Sequence, residues 1–204
     1  MTSYRLFLSL FVLLPLFFYA QQKTPFVIYD YDKDLDYKKE LLVLKKADKN
    51  NTTITTLNSI ADLSYYYKDW ETAISYYEKV IVENPTAENY FKLGVAAARK
   101  SLEVSRFFSV PYVVKAKKSV LNAYRLNSNN PKYLKLLIKL FAEIPSFLGG
   151  NKEFAQKKAD ELFVIDPIQG LIIQGYLNDI NNYTAAAKSK YELAFELLES
   201  NYQS

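Results

Sequence analysis

Residues 65–85 read YYYKDWETAISYYEKVIVENP, and their spacing of small, bulky and helix-ending residues predicts a fold. Ala73, Tyr77 and Val80 precede Pro85 by 12, 8 and 5 residues. The first three share one face of a helix with 3.6 residues per turn. Pro85 ends that helix, because proline lacks an amide hydrogen and disfavours helical geometry at the residue before it.

A second apolar stripe lies just upstream and predicts a partner helix. Leu57, Ile60 and Ala61 are spaced i, i+3 and i+4, and Asp69 stands at the bend between the two helices. Antiparallel helices joined by a tight turn approach closely only where the facing side chains are small, here Ala61 against Ala73. One helical pair cannot bury all its apolar faces alone, so further pairs should follow.

The same spacing recurs three more times along the chain. The second pair covers 87–100 and 114–127, the third 131–144 and 154–167, and the fourth 168–178 and 184–198. Small residues again occupy the expected close-contact positions: Gly94, Ala116, Ala123, Ala155, Ala159, Gly175, Ala187 and Ala194. Four pairs in one register predict an all-α stack of helical hairpins, with a non-repeating helical bundle as the alternative.

The pattern resembles the tetratricopeptide (TPR) repeat, a helical pair of about 34 residues. The resemblance extends from about residue 54 to residue 199. It implies a right-handed superhelical solenoid of about four TPR-like helical hairpins. In this family the first helices of the pairs line a concave groove, which receives an extended peptide or a partner helix.

The resemblance also implies which residues line the groove. These are Asn58, Asp62, Tyr65, Tyr66, Phe91, Val95, Arg99, Lys132, Lys135, Lys139, Ile172 and Tyr176. The three lysines share one stripe of one helix, which either holds an acidic segment or a terminal carboxylate, or is simply a solvated face. The carboxylate clamp of certain chaperone adaptors needs Lys and then Asn on the first pair. Asn58 and Asp62 stand at those places, so this clamp is not expected.

Residues 101–113, SLEVSRFFSVPYV, make the connection in the second pair longer than that in the first. One interpretation is an inserted turn that projects from the solenoid, with Phe107, Phe108 and Tyr112 as anchors for a partner. In the other, both helices are longer and the aromatic side chains fold onto their neighbours.

Gly149 and Gly150 are predicted to form the turn of the third pair, because consecutive glycines disfavour a helix interior. This turn resembles one in periplasmic TPR accessory proteins of TRAP-type solute transporters, among other bacterial repeat proteins. Members of that group trimerise and can enclose a small apolar ligand. Turn geometry alone also explains the two glycines.

The N-terminus is predicted to be a signal peptide, residues 1–20. Arg5 precedes an uncharged apolar run over 6–19, which is shorter than the roughly 20 residues of a membrane-spanning helix. A permanent anchor is the alternative. The ending resembles signal peptides of the Bacteroidetes group and predicts Gln21 as the first mature residue. The mature protein is then expected in the periplasm or at the cell surface, without a permanent membrane span.

Residues 21–50 are expected to form an acidic N-terminal segment with a helix over 37–48, followed by the repeat domain over 51–204. The tract DYDKDLD at 30–36 alternates carboxylates as calcium loops do. The glycine and glutamate that an EF-hand needs are replaced by leucine at both places. No metal site is therefore predicted.

Composition excludes several kinds of chemistry. The chain has no cysteine and no histidine, which removes disulfides, thiolate nucleophiles, imidazole bases and the usual zinc and haem ligands. Its 26 basic and 22 acidic residues are too balanced to indicate nucleic-acid binding. No pair of carboxylates stands apart as a glycosidase site would require. Neither an enzyme nor a cofactor is expected.

The sequence therefore predicts an exported binding scaffold. Its partner is expected to be a protein or peptide, bound through the groove or through residues 101–113. The alternative is a soluble periplasmic accessory subunit of a solute or lipid transport system, which encloses an apolar ligand. The oligomeric state and the partner's identity stay open.

Overall fold

The computed structural model describes residues 35–203. This part of the chain contains nine α-helices: α1 (Leu35–Asn50), α2 (Ile54–Tyr66), α3 (Trp70–Glu83), α4 (Ala87–Glu103), α5 (Arg106–Leu126), α6 (Pro131–Glu143), α7 (Lys152–Ile165), α8 (Pro167–Ile180) and α9 (Thr184–Gln203). A short 3₁₀ turn, Ser146–Leu148, lies between α6 and α7. From α2 onward, each helix packs mainly on its sequence neighbours, as hairpins α2–α3, α4–α5, α6–α7 and α8–α9. The predicted all-α solenoid of four helical hairpins is confirmed.

Side-chain caps define where most of the helices begin. In each case an oxygen of the capping residue accepts a hydrogen bond from a backbone amide in the first helical turn, which has no carbonyl partner inside the helix. These residues are Thr53, Asp69, Thr86, Asn130, Asn151 and Asp166. Asp166 also ends α7, so α7 and α8 are joined with no intervening loop.

The first hairpin packs as its sequence spacing predicts. Ala61 and Ala73 are fully buried where α2 meets α3. Tyr77 is also fully buried, in a cluster that includes Leu93 and Ala97 of the next hairpin. The apolar face that α3 directs away from α2 is thus covered by α4, which makes the hairpins stack.

Two glycines are required by the geometry. A Cβ on Gly94 would lie 2.5 Å from Cγ2 of Val120, so α4 and α5 approach too closely there for a larger residue. Gly149 has a φ of +84°, a left-handed conformation that glycine adopts without strain. It ends the 3₁₀ turn between α6 and α7, at the turn that the sequence predicts.

The second helix of the second hairpin begins earlier than predicted. It was expected to begin at residue 114, but α5 begins at Arg106 and contains Pro111. Only Val104 and Ser105 separate α4 from α5. Residues 101–113 therefore do not form a projecting turn. The alternative of two longer helices is correct, but its second part is not, because Phe107 and Phe108 stay exposed and do not fold onto their neighbours. Proline at 111 leaves only the carbonyl of Phe107 without its helical donor, at a residue that is 92% exposed to water.

The predicted N-terminal helix is present as α1, which packs on α2. Tyr37 is buried, and its hydroxyl donates a 2.5 Å hydrogen bond to the carboxylate of Asp69. The predicted signal peptide and residues 30–34 of the acidic tract lie outside the described residues. Within residues 35–203, no helix combines the length and apolar character that crossing a membrane requires.

Hydrogen bonds from tyrosine hydroxyls to carboxylates join the two helices of a hairpin, helices of consecutive hairpins, or α1 and the first hairpin. The pairs are Tyr76–Asp48, Tyr77–Asp62, Tyr124–Glu161, Tyr133–Glu88, Tyr176–Glu143 and Tyr191–Asp179. A hydrogen bond to a charged acceptor is stronger than one between neutral groups. These hydrogen bonds therefore stabilise the stacked arrangement of the helices, in addition to the apolar packing.

Alkaline pH is expected to destabilise the fold through these tyrosines. Burial, together with the hydrogen bond to Glu88, raises the pKa of Tyr133 to about 12. Burial and the bond to Asp179 raise the pKa of Tyr191 to about 12. Because the folded-state pKa lies above the unfolded value of about 10, this stabilisation is complete below about pH 10. It is lost as the pH rises toward about 12.

Urea unfolding followed by circular dichroism at about pH 8, 10 and 11.5 measures this loss. The free energy of unfolding should fall between the last two pH values. The double variant Tyr133→Phe with Tyr191→Phe is the control, since it lacks both hydroxyls and should show a smaller fall. An equal fall in the variant and the unmodified chain would contradict the assignment to these two tyrosines.

Candidate functional site

A cleft of about 650 Å³ lies between α4, the first half of α5, and α6 with the turn that follows it. Its apolar lining is formed by Phe91, Val95, Ala98, Leu102, Val110, Val113, Leu136, Leu140, Phe147 and Leu148. Six of the twelve predicted groove residues line it, namely Phe91, Val95, Arg99, Lys132, Lys135 and Lys139. The groove positions of the second and third pairs thus meet in one place.

The floor of the cleft is aromatic and firmly packed. Phe91 is only 5% exposed, and its ring centroid lies 4.9 Å from that of Tyr133. Val95 and Leu136 pack against the same cluster and are partly exposed. Phe91, predicted as a groove residue, is therefore a buried support for the cleft surface that Val95 and Leu136 present.

The charged residues of the cleft are almost all basic. Five cationic side chains line it (Arg99, Arg106, Lys132, Lys135 and Lys139) against one carboxylate, Glu143. That carboxylate already accepts a hydrogen bond from the hydroxyl of Tyr176. Because opposite charges across a contact guide partners and like charges repel them, the cleft favours an anionic ligand.

Most of these cations have no carboxylate partner. Of the five, only Lys132 forms an ion pair with any residue in the 35–203 range, and its Nζ lies 3.5 Å from Glu88. Lys135 donates a 2.9 Å hydrogen bond to the amide oxygen of Gln169. The Nζ of Lys139 lies 4.6 Å from the centroid of the Tyr176 ring. The contacts with Gln169 and Tyr176 orient Lys135 and Lys139 without neutralising their charges.

The predicted groove positions of the first hairpin do not reach the cleft. Asp62 forms an ion pair with Lys92, at 2.7 Å, and Asn58 donates to the carbonyl of Ile54 in its own helix. These side chains already have partners within the stack. The Asp62–Lys92 pair links the first hairpin to the second, whereas the bond of Asn58 stays within α2.

The two tyrosines at the end of α2 differ from each other. Tyr65 is half-buried and packs edge-on against Trp70 and Tyr77, whereas Tyr66 is 77% exposed. Burial is the main reason that the pKa of Tyr65 is raised. Tyr65 therefore stabilises the hairpin, and only Tyr66 presents an aromatic surface to solvent.

The fourth hairpin contributes only at the edge of the cleft. Ile172 is exposed on α8 and does not line the cleft. Tyr176 lies next to the cleft. Its hydroxyl donates a hydrogen bond to Glu143, and the Nζ of Lys139 lies over its ring. Tyr176 thus positions two charged residues of the cleft.

The predicted anchors in residues 101–113 lie at the start of α5. Phe107 and Phe108 are exposed, while Tyr112 is partly buried against the cluster of the first two hairpins. Phe108 and Tyr112 border a separate hollow with Glu71 and Lys100. The three aromatic side chains are therefore not part of the cleft.

The prediction missed cleft residues on α5 and in the turn after α6. Arg106, Val110 and Val113 follow the spacing i, i+4 and i+7 and form one wall, together with Phe147. This helical spacing is visible in the sequence. Pro111 conceals it, because a proline favours the interpretation as a turn.

Comparison with solved structures agrees with this architecture. No protein-family model and no characterised protein matches the sequence. The crystal structure of MamA is similar over 83% of this chain and 92% of its own, with a TM-score of 0.63 and 18% identity. A second MamA crystal structure gives a TM-score of 0.61 at 20% identity, over 82% of this chain and 86% of that one.

A further similarity is to TTC0263, described as a thermophilic TPR protein in Thermus thermophilus. It covers 78% of this chain and 82% of that protein, with a TM-score of 0.57 and 16% identity. At such low identity the likeness concerns the fold alone. Together with the four stacked hairpins, it shows that residues 35–203 have the fold of a TPR solenoid.

Proposed function

We propose that this protein is an exported scaffold that binds a protein partner through the cleft between α4, α5 and α6. The observation that carries the proposal is the combination of an apolar surface and exposed, unneutralised cations in one concave place. Binding surfaces commonly have an apolar centre and a polar edge. The fold supports an interaction scaffold in general, since helical repeats present extended surfaces to partners.

Binding would work by complementarity and needs no chemical step. Apolar side chains of the partner would pack against Val95, Leu136 and Leu140. The removal of this apolar surface from water contributes about 25 cal/mol of binding free energy for each Å² buried. The basic side chains at the edge of the cleft would orient the partner and speed its association. They would contribute less to the affinity. Arg99 and Arg106 suit this role, because both are exposed and neither forms an ion pair within the described part of the chain.

Export is proposed from the sequence of residues 1–20. The short apolar run after Arg5 is typical of a secretory signal, and Gln21 would then be the first residue of the mature chain. The scaffold would work in the periplasm or at the cell surface.

A second candidate function is an accessory subunit that holds an apolar ligand for solute or lipid transport. The apolar lining of the cleft favours it. The exposure of Leu102, Val110 and Phe147 favours the scaffold, because a ligand in the cleft would stay in contact with water along that side.

Site-directed photocrosslinking in the source organism tests both candidates. A photoreactive residue at Leu102, which is exposed and lines the cleft, should form an adduct with another protein in the envelope fraction. The matched control is the same residue at Val82, which is 80% exposed on α3 and away from the cleft. Mass spectrometry of the adduct should give Gln21 as the first residue.

The possible results separate the candidates. An adduct of a few hundred daltons at position 102 would favour the accessory subunit. Equal adducts at positions 102 and 82, or none at 102, would contradict a binding role for the cleft. A chain that retains residues 1–20 and stays in the cytoplasm would contradict export.

A further inference from the structure

We infer that one copy of the chain binds a second copy end to end, with the exposed face of α9 on one copy against the exposed face of α1 on the next. This contact uses neither the cleft nor its basic side chains. Three features of the two helices support it: an apolar face left open at the last hairpin, another on α1, and opposite charges around the two faces.

The last hairpin exposes the face that the first hairpin buries. Tyr77 and Ile81 of α3 pack in one apolar cluster that α4 completes. By the repeat register, Tyr191 and Phe195 hold the same places in α9. Tyr77 is fully buried, whereas Tyr191 is 37% and Phe195 59% exposed. The side of α9 that corresponds to the contact of α3 with α4 is therefore open to solvent.

A hollow of about 550 Å³ lies on this side of α9. Tyr191 and Phe195 line it together with charged side chains, among them Glu192 and Glu196. The outer face of a terminal repeat is usually polar, because no further repeat covers it. The two aromatic rings depart from that rule, and covering them with another helix removes apolar surface from water.

The first helix has an apolar face of its own. Tyr37 is buried against the first hairpin, whereas Leu35, Leu42 and Val43 are 63%, 71% and 68% exposed. Leu35 and Leu42 are seven residues apart, so they lie on one stripe of the helix. A helix that only closed the end of the stack would not need apolar residues on this side.

The charges around the two faces are opposite in sign. The exposed charged residues of α1 are five lysines and two carboxylates, namely Lys38, Lys39, Lys45, Lys46, Lys49, Asp36 and Glu40. Those of α9 are three glutamates and one lysine, namely Glu192, Glu196, Glu199 and Lys188. Because opposite charges attract across a contact and like charges repel, α1 fits α9 of another copy better than either helix fits its own duplicate.

The two faces cannot meet within one chain. In the stack, α1 packs on α2 and α9 packs on α8, so the faces lie at opposite ends. A contact between different faces of two copies leaves one free face at each end, and the assembly grows unless it closes into a ring. Each added copy would bring a further cleft, so that a partner with several binding segments could be held at more than one place.

Sedimentation velocity of the protein, purified as the cell processes it, tests the contact. The mass should exceed that of one chain and should rise with protein concentration. Added salt should lower it, because salt screens charges at an exposed contact. A single chain at every concentration would overturn the inference.

Charge reversal identifies the two faces. The double variant Lys39→Glu with Lys46→Glu changes α1, and Glu196→Lys with Glu199→Lys changes α9. Each should weaken self-association by at least about tenfold. The fourfold variant has opposite charges at its two ends again and the net charge of the unmodified chain, so its self-association should be restored. All four residues are exposed, so each variant should keep the fold, which circular dichroism checks.

The matched control is Lys118→Glu with Lys157→Glu, which reverses two exposed lysines of α5 and α7. It changes the net charge as much as the α1 variant does and should leave self-association unchanged. If only the α9 variant dissociates, α9 pairs with something other than α1 and the inference is wrong. It is also wrong if the fourfold variant stays dissociated, because the two faces then do not meet.

Discussion

Replacement of Tyr77 by alanine is expected to lower the free energy of unfolding by about 3–5 kcal/mol, as for other large buried aromatic residues. Tyr77 is fully buried between the first two hairpins, and its ring lies edge-on to that of Tyr65. The substitution leaves a cavity at the contact by which one hairpin covers the next. It also removes the hydrogen bond from the hydroxyl to Asp62.

The measurement is thermal or urea unfolding followed by circular dichroism. For a chain of this size, a loss of 3–5 kcal/mol corresponds to a fall in Tm of roughly 6–20 °C. Tyr77→Phe keeps the ring and loses only the hydrogen bond to the carboxylate of Asp62, so it should cost about 1.5–3 kcal/mol, the range for a hydrogen bond to a charged group. Tyr66→Ala is the matched control on an exposed tyrosine and should change stability by less than about 0.5 kcal/mol. Similar effects of Tyr77→Ala and Tyr66→Ala would contradict the stacking role.

The stacking of hairpins is predictable from sequence, because it depends on side-chain volume at fixed intervals. Ala61 and Ala73 must be small for α2 and α3 to approach, while Tyr77 must be large to fill the space before α4. Such requirements constrain the side-chain volume at only a few positions. A fold of this kind is therefore compatible with low overall sequence identity, here 16–20% to the similar solved structures.

The cleft is less predictable, because it depends on how far α4 and α5 extend beyond the repeat pattern. The groove register of each helix predicts that Arg99 and the three lysines share one surface, and all four line the cleft. It does not reveal that α5 begins at Arg106, because Pro111 disfavours a helix locally. Packing of the long helices against each other outweighs this local cost, and that balance of energies cannot be obtained from residue spacing.

A glycine that the repeat pattern does not explain gives the second large effect. Gly170→Ala is expected to destabilise the protein by about 2 kcal/mol, although alanine normally stabilises a helix by about 1 kcal/mol relative to glycine. A Cβ at position 170 would lie 2.2 Å from the Cα of Phe163 and 2.6 Å from its backbone nitrogen. Because α7 and α8 share Asp166 as their junction, neither helix can move away freely. Overpacking of this kind costs about 1–3 kcal/mol, and a clash with backbone atoms belongs at or above the upper end of that range.

Gly175→Ala in the same helix is the matched control for this prediction. Its Cβ would also meet a neighbour at 2.5 Å, but the neighbouring atoms belong to the ring of Tyr191, which is 37% exposed and has room to rotate outward. The clash should therefore be relieved at the expense of the Tyr191–Asp179 hydrogen bond, and the net change should stay within about 1 kcal/mol. In urea unfolding, the midpoint concentration of Gly170→Ala should be lower than that of Gly175→Ala. The reverse order would mean that α7 and α8 can separate at their junction, and that the close approach at Gly170 is not a requirement of the fold.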